Sequence, residues 1–147
     1  MRAIAFTGPV EITDVETFAV RCALERVAPA DVYISGAAFG VDTAAALAAA
    51  DLYPAAEHRV YVPAAWHNEA VVAQLRDRGA TVVEVERAHS TAASYMARND
   101  LMVADCTALI GFPYTLAEEL RSGTWATIRR ARRSRRAIRL FPLREGT

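Results

Sequence analysis

No lysine occurs anywhere in the 147 residues; every fixed side-chain cation is an arginine. With the many alanines this fits a GC-rich coding sequence, so a single arginine is weak evidence of a phosphate site. Only two cysteines are present, Cys22 and Cys106, and there are three histidines, His58, His67 and His89. None falls at metal-ligand spacing, so neither a metal nor a bound cofactor is expected, and the cysteines read as small buried hydrophobes. No apolar run approaches the roughly 20 residues that cross a bilayer, which removes a membrane from the expected partners. The opening MRAIAFTGPV has neither the apolar centre nor the small-residue cleavage site of a signal peptide, so a cytoplasmic location is expected. Internal repeats and low-complexity linkers are missing too. So is a G-x-G-x-x-G fingerprint after the first strand, which argues against nicotinamide-dependent oxidoreduction.

What is present is an apolar chain with its charge unevenly spread. Just over half the residues, 53%, are hydrophobic, enough for one globular domain at this length. That domain is expected over residues 1–142, with 143–147 as a short tail. The formal net charge is zero, yet residues 1–128 hold nine arginines against sixteen carboxylates, whereas 129–147 hold eight arginines against Glu145.

Short apolar runs alternate with helical patterns. Strands are predicted at 2–6, 31–35, 59–63, 81–85, 107–112 and 137–141. Helices are predicted at 13–28, 42–50, 69–79, 90–106 and 124–136. Thr13 and Glu16 form a capping-box pair at the first helix, and Gly79 sits where the third should stop. Strands rich in Val, Ile and Ala separated by helices of about ten residues point to βαβ units. The fold class is therefore α/β: a three-layer, Rossmann-like, doubly wound and mainly parallel sheet of about six strands.

In such a sheet ligands bind beyond the carboxyl ends of the strands. Three loops at those ends combine glycine with hydroxyl residues: FTGP (6–9), SGAAFGVDT (35–43) and RSGT (121–124). Glycine lets backbone N–H groups approach a ligand closely, and a helix N-terminus offers unpaired donors with partial positive charge. The candidate ligand residues are Thr7 and Gly8; Ser35, Gly36, Gly40, Asp42 and Thr43; and Ser122, Gly123 and Thr124. Each loop taken singly also reads as a turn or a helix cap. The convergence of three on one edge favours a phosphate or ribose site. Arg98 and Asn99 join the set if their helix begins near that edge; otherwise they lie on a solvated face. His67, beside Trp66 and Glu69, reads as a surface or stacking residue rather than an acid–base group.

The run RRARRSRR (129–136) contains six arginines. It is either a solvated outer face or a phosphate-backbone contact for single-stranded nucleic acid, with Arg129, Arg132, Arg133 and Arg136 as the candidates.

The stretch ISGAAFGVDTAAALA (34–48) resembles the strand–loop–helix of the DNA-processing protein A family. ARND (97–100) is similar to that family's Arg-Asn step, and RSGTWATIRRARRSRRAIRLFP (121–142) to its last loop, helix and strand. The resemblance spans most of the chain. It extends to the superfamily that also holds the "Lonely guy" phosphoribohydrolases and nucleotide-sensing domains of bacterial conflict systems. It implies a Rossmann-like sheet, a nucleotide-type ligand or single-stranded DNA, and a homodimer or higher homo-oligomer. The positions it carries over are Thr7, Gly8, Ser35, Gly36, Gly40, Asp42, Arg98, Asn99, Ser122, Gly123 and Thr124. The first loop departs from the pattern, reading Thr-Gly-Pro where DNA-processing relatives have Gly-Ser-Arg. The Pro-Gly-Gly-x-Gly-Thr-x-x-Glu motif of the phosphoribohydrolases is absent, since no glutamate follows Gly123-Thr124 at that spacing.

Three functional readings follow. The first is binding of a nucleotide or nucleotide-derived ligand, in sensing or as an accessory to DNA processing. The second is hydrolysis of a nucleotide N-glycosidic bond, with Asp42, Glu69, Glu118 and Glu119 as candidate carboxylates. The third is single-strand binding through the arginine-rich helix.

Overall fold

The computed structural model describes residues 1–144. Six strands, β1 (Ala3–Thr7), β2 (Val32–Gly36), β3 (Glu57–Val62), β4 (Thr81–Glu84), β5 (Ala108–Gly111) and β6 (Ala137–Leu140), form one sheet in the order β4-β3-β2-β1-β5-β6. Every pairing is parallel. The helices are α1 (Asp14–Glu25), α2 (Val41–Leu52), α3 (Glu69–Asp77), α4 (Thr91–Asp105) and α5 (Gly123–Arg133). This is the α/β doubly wound, Rossmann-like arrangement that the alternation of elements predicts. Among the described residues no helix is long and apolar enough to cross a membrane.

Parallel strands covered on both faces read as continuous apolar runs. All five residues of β1 and of β2 are buried. Alternate residues of the strands feed different layers. Ile4, Phe6, Tyr33, Ile110 and Phe112 pack with Val20, Ala23 and Leu24 of α1 and with the alanines of α2. Ala3, Ala5, Val32, Ile34 and Leu109 pack with Met102 and Val103 of α4 and with Trp125 and Ile128 of α5. Val60 is covered by Val71, Val72 and Leu75 of α3. Helices α1–α3 therefore cover one face, and α4 and α5 the other.

Local signals set the helix ends. Thr13 accepts from the Glu16 N–H while the Glu16 carboxylate accepts from the Thr13 N–H, the reciprocal cap expected from the sequence. Asn68, Ser90 and Ser122 cap α3, α4 and α5 through their side-chain oxygens. Gly79, at φ +93, follows α3 in a conformation that side chains disfavour.

Leu143 and Arg144, expected as the start of a tail, hydrogen-bond to the carbonyls of Pro113 and Tyr114. Arg144 also pairs with Glu16 at 2.9 Å. The rest of the expected tail, 145–147, lies outside the described residues. Of the cysteines, Cys106 is buried and Cys22 only half-buried; both are free thiols.

Candidate functional site

Strand order reverses between β1 and β5: the chain leaves β1 toward β2 and leaves β5 toward β6, on opposite sides. The loops leaving such neighbours diverge and open a crevice beyond the strand ends. A cavity of about 600 Å³ lies there. Thr7 contributes from the end of β1, Gly8 and Glu11 from the β1–α1 loop, Asp42 from α2, and Arg98 and Asn99 from α4. Ser122, Gly123 and Thr124 bring the start of α5. Eight of the twelve candidate ligand residues therefore line one cavity. Residues 98 and 99 reach it because α4, linking the edge strand β4 to β5, crosses over the central strands from this edge.

The floor is an ion pair. Arg98 is 5% exposed and Asp42 7%. Arg98 Nη1 stands 3.9 Å from Asp42 Oδ2, too far for a hydrogen bond, and Nη1 is buried with no hydrogen-bond partner among the described residues. Arg98 Nε donates to Asn99 Oδ1 at 2.8 Å, which orients the guanidinium, and the Tyr95 ring lies 5.8 Å from it. Burial pushes the Asp42 carboxyl up to about 6, although Arg98 and the Ala38 N–H both act to lower it. A buried cation with an unused donor is costly unless an acceptor comes to it.

Gly36, Gly40, Ser35 and Thr43, outside the lining, and Gly8, within it, have contacts that shape the scaffold. A Cβ at Gly36 would stand 2.5 Å from Arg98 Nη1 and 2.7 Å from Asp42 Oδ2, so glycine there makes room for the pair. Gly40, at φ +74, precedes α2 so closely under the first loop that a Cβ would overlap the Pro9 and Val10 carbonyls. The first N–H of α2, on Val41, donates to the Pro9 carbonyl at 3.1 Å, so that end is already occupied. Gly8 admits the Val41 side chain. Ser35 is buried inside β2. Thr43 Oγ1 donates to the Ala38 carbonyl at 2.8 Å and accepts from Asn68 Nδ2 at 3.1 Å, tying two loops together. The start of α5 is different: Gly123 faces open space, and Ser122 Oγ caps only the Trp125 N–H. The N–H groups of Gly123 and Thr124 have no acceptor among the described residues, as befits the first turn of a helix.

Aromatic side chains are the part of the wall that the sequence did not single out. Phe39 and Trp66 stack with ring centroids 4.7 Å apart and planes 18° apart, yet Trp66 is 71% exposed. Both line the cavity, as do Tyr95 and Tyr114. The Tyr95 hydroxyl donates to the Trp66 carbonyl at 2.7 Å, holding that loop against α4. The four rings come from four segments far apart in sequence, so no local spacing links them.

The carboxylates proposed for hydrolysis divide. Glu69 begins α3 away from the cavity, and Glu118 is paired with Arg129 and Arg132 at 3.7 and 3.1 Å. Glu119 lies at the exposed rim, and only Asp42 is buried in the site. The Nδ1 atom of His67 is hydrogen-bonded to the Ala65 carbonyl, and the ring is outside the lining. Among the described residues no three His, Cys, Asp or Glu side chains gather as metal ligands.

The arginine-rich segment lies elsewhere. Arg129 donates to the Glu119 and Leu120 carbonyls, Arg132 pairs with Glu118, and Arg130 pairs with Asp100. Arg136 caps the end of α4 through the Val103 and Ala104 carbonyls. Three of the four nucleic-acid candidates, Arg129, Arg132 and Arg136, are thus engaged within the molecule. Arg133 is exposed at the last turn of α5, where a cation is favoured by the helix dipole.

No protein-family model and no curated protein matches the chain. Among solved structures it is similar to DNA processing protein A (DprA) from Streptococcus pneumoniae, with a TM-score of 0.76 and 21% identity. The match covers 99% of this chain and 51% of that one, so the chain spans about half the length of that protein. The fold is DNA-processing-protein-A-like, as the resemblance in the sequence implied.

Proposed function

We propose that the cavity binds a nucleotide unit, free or within single-stranded DNA, and that the protein acts in sensing or in DNA processing. One observation carries this reading. A buried arginine with an unused donor lies in the same cavity as the open N-terminus of α5, beneath an exposed aromatic stack. Gly123 and Thr124 N–H groups and Arg98 suit a phosphate, while Phe39 and Trp66 suit the face of a base. The name of the structurally similar protein supports an association with DNA. We favour binding over bond cleavage because Glu118 is committed to arginines, Glu69 lies away from the cavity, Glu119 stands at its exposed rim, and Asp42 is buried opposite the Arg98 cation.

Tryptophan fluorescence tests this directly. Trp125 is buried, so quenching by a bound base reports Trp66. Mononucleotides and an oligothymidylate are titrated separately, which separates the free from the strand-borne form. Trp66→Ala is expected to weaken binding by about 1–3 kcal/mol, the usual range for one base–aromatic stack. It should leave stability nearly unchanged, given its exposure. Binding unaltered by Trp66→Ala would remove the base from this stack, and no binding by any titrant would end the reading.

A further inference from the structure

The lining of the cavity has too much negative charge for the ligand proposed above. Glu11, Asp42 and Glu119 oppose a single cation, Arg98, although the start of α5 adds roughly half a positive charge. Glu11 and Glu119 are exposed and screened by water, whereas Asp42 is not. An anion on the cavity side of Arg98 therefore sets a second negative charge against a carboxylate that cannot turn to solvent.

We propose that an anion binding at Arg98 is accompanied by uptake of one proton on Asp42, which makes the site pH-gated. This rests on the binding reading given above. Binding transfers one solvent proton to a carboxylate oxygen of Asp42; no other bond changes. The Arg98 guanidinium, until then opposite Asp42 without a direct hydrogen bond and with its Nη1 donor unused, becomes the counter-ion of the ligand. Geometry supplies the means. The 3.9 Å separation leaves the pair without a direct hydrogen bond, and Gly36 keeps both groups in one small space. Burial has already brought the Asp42 carboxyl up to about 6, so a nearby anion needs to move it little further to hold the proton at neutral pH.

The charged and titratable groups around Asp42 are few. Arg98 and Tyr95 face the cavity from α4, Glu11 from the β1–α1 loop, and Tyr114 and Glu119 from the β5–α5 loop. The start of α5 presents only Ser122, Gly123 and Thr124 there, and the β2–α2 loop only the Ala38 N–H. The arginines that meet α2, Arg21 and Arg78, do so at its far end, on Asp51.

The test uses the intact protein and an oligothymidylate without terminal phosphates, whose own charge is constant between pH 5 and 8. Affinity is measured by fluorescence across that range, and the proton count by calorimetry at pH 7 in two buffers of different ionisation heat. Coupling of one proton predicts affinity falling up to tenfold per pH unit above Asp42's own titration, with close to one proton taken up. Asp42→Asn, close in shape and uncharged, should bind at pH 7.5 as wild type does at pH 5.5, and with no pH slope. A flat pH profile with buffer-independent heat overturns the coupling but keeps the site. No binding at any pH removes both.

Discussion

Two settings for arginine can be compared in this molecule. Six arginines lie within 129–136, the most basic stretch of the chain; another, Arg98, is buried in the acidic part, 1–128. Density of charge would choose the six. Yet four of them, Arg129, Arg130, Arg132 and Arg136, cap carbonyls or pair with carboxylates at the surface, while Arg98 is buried beside an underused carboxylate and retains a free donor. Exposed pairs contribute about 0–1 kcal/mol each and are readily solvated. A buried cation without its full complement of acceptors sits in a costly state that a ligand can relieve. What distinguishes a site from a decorated surface is an unmet interaction, not the number of charges.

The sharpest break in that comparison is Arg98→Met. Ligand affinity should fall about a hundredfold or more, within the 2–5 kcal/mol expected when a buried charged partner is removed. Stability at pH 7.5 should fall by roughly 3–5 kcal/mol, because Asp42 would be left buried and unpaired. Denaturant titration at two pH values checks the sign. The folded state holds Asp42 at about 6 against 3.8 for the free side chain, so its proton is bound more tightly in the native protein. Its stabilising contribution is full below about 3.8 and is lost as pH rises through 6, a change on the order of 3 kcal/mol in the wild type. In the Met variant Arg98 no longer lowers that carboxyl, so the loss of stability should shrink as pH falls. A loss that is equal at pH 5 and 7.5 would contradict the ion-pair account.

Gly36→Ala is a milder probe of the same pair. The added methyl meets Arg98 Nη1 and Asp42 Oδ2, and crowding of this kind costs about 1–3 kcal/mol. A parallel tenfold loss of affinity is expected. If stability drops while affinity holds, Arg98 does not carry the ligand. The smallest effect belongs to the surface group. Arg132→Gln with Arg133→Gln should change stability by less than about 1 kcal/mol and leave oligothymidylate affinity and its salt dependence alone. A salt slope reduced by nearly one per arginine would instead move nucleic acid to α5.

The sequence revealed the frame because its signals were local. Alternation of apolar runs, the Thr13–Glu16 cap and Gly79 each lie within a few residues of what they determine, and the element boundaries agree to within about three residues. The convergence of the three loops was legible for another reason: a doubly wound sheet brings every βα loop to one edge. The roles inside the loops were not legible. Nothing local indicated that Gly36 and Gly40 also make room for Arg98 and the Pro9–Val10 backbone, which arrive from other elements. Tyr95, Tyr114 and the Phe39–Trp66 stack escaped notice for the same reason, and so did the partners of Arg129, Arg132 and Arg136. These contacts span tens of residues, and nothing in the local spacing marks them.

The sheet order also bears on when the site comes into being during synthesis. Strand β1 is made first, but one of its two neighbours, β5, pairs with it across about a hundred residues of sequence, as the Ala3–Thr107 hydrogen bonds mark. A nascent chain that has emerged through β4 can assemble the half-sheet β4-β3-β2-β1 and dock α1–α3, yet β1 keeps one open flank. The third wall of the cavity, at Ser122–Thr124, does not yet exist. On the proposed reading, a ligand would find all three walls only after β5 has closed that flank and the start of α5, which follows it in the chain, has been added.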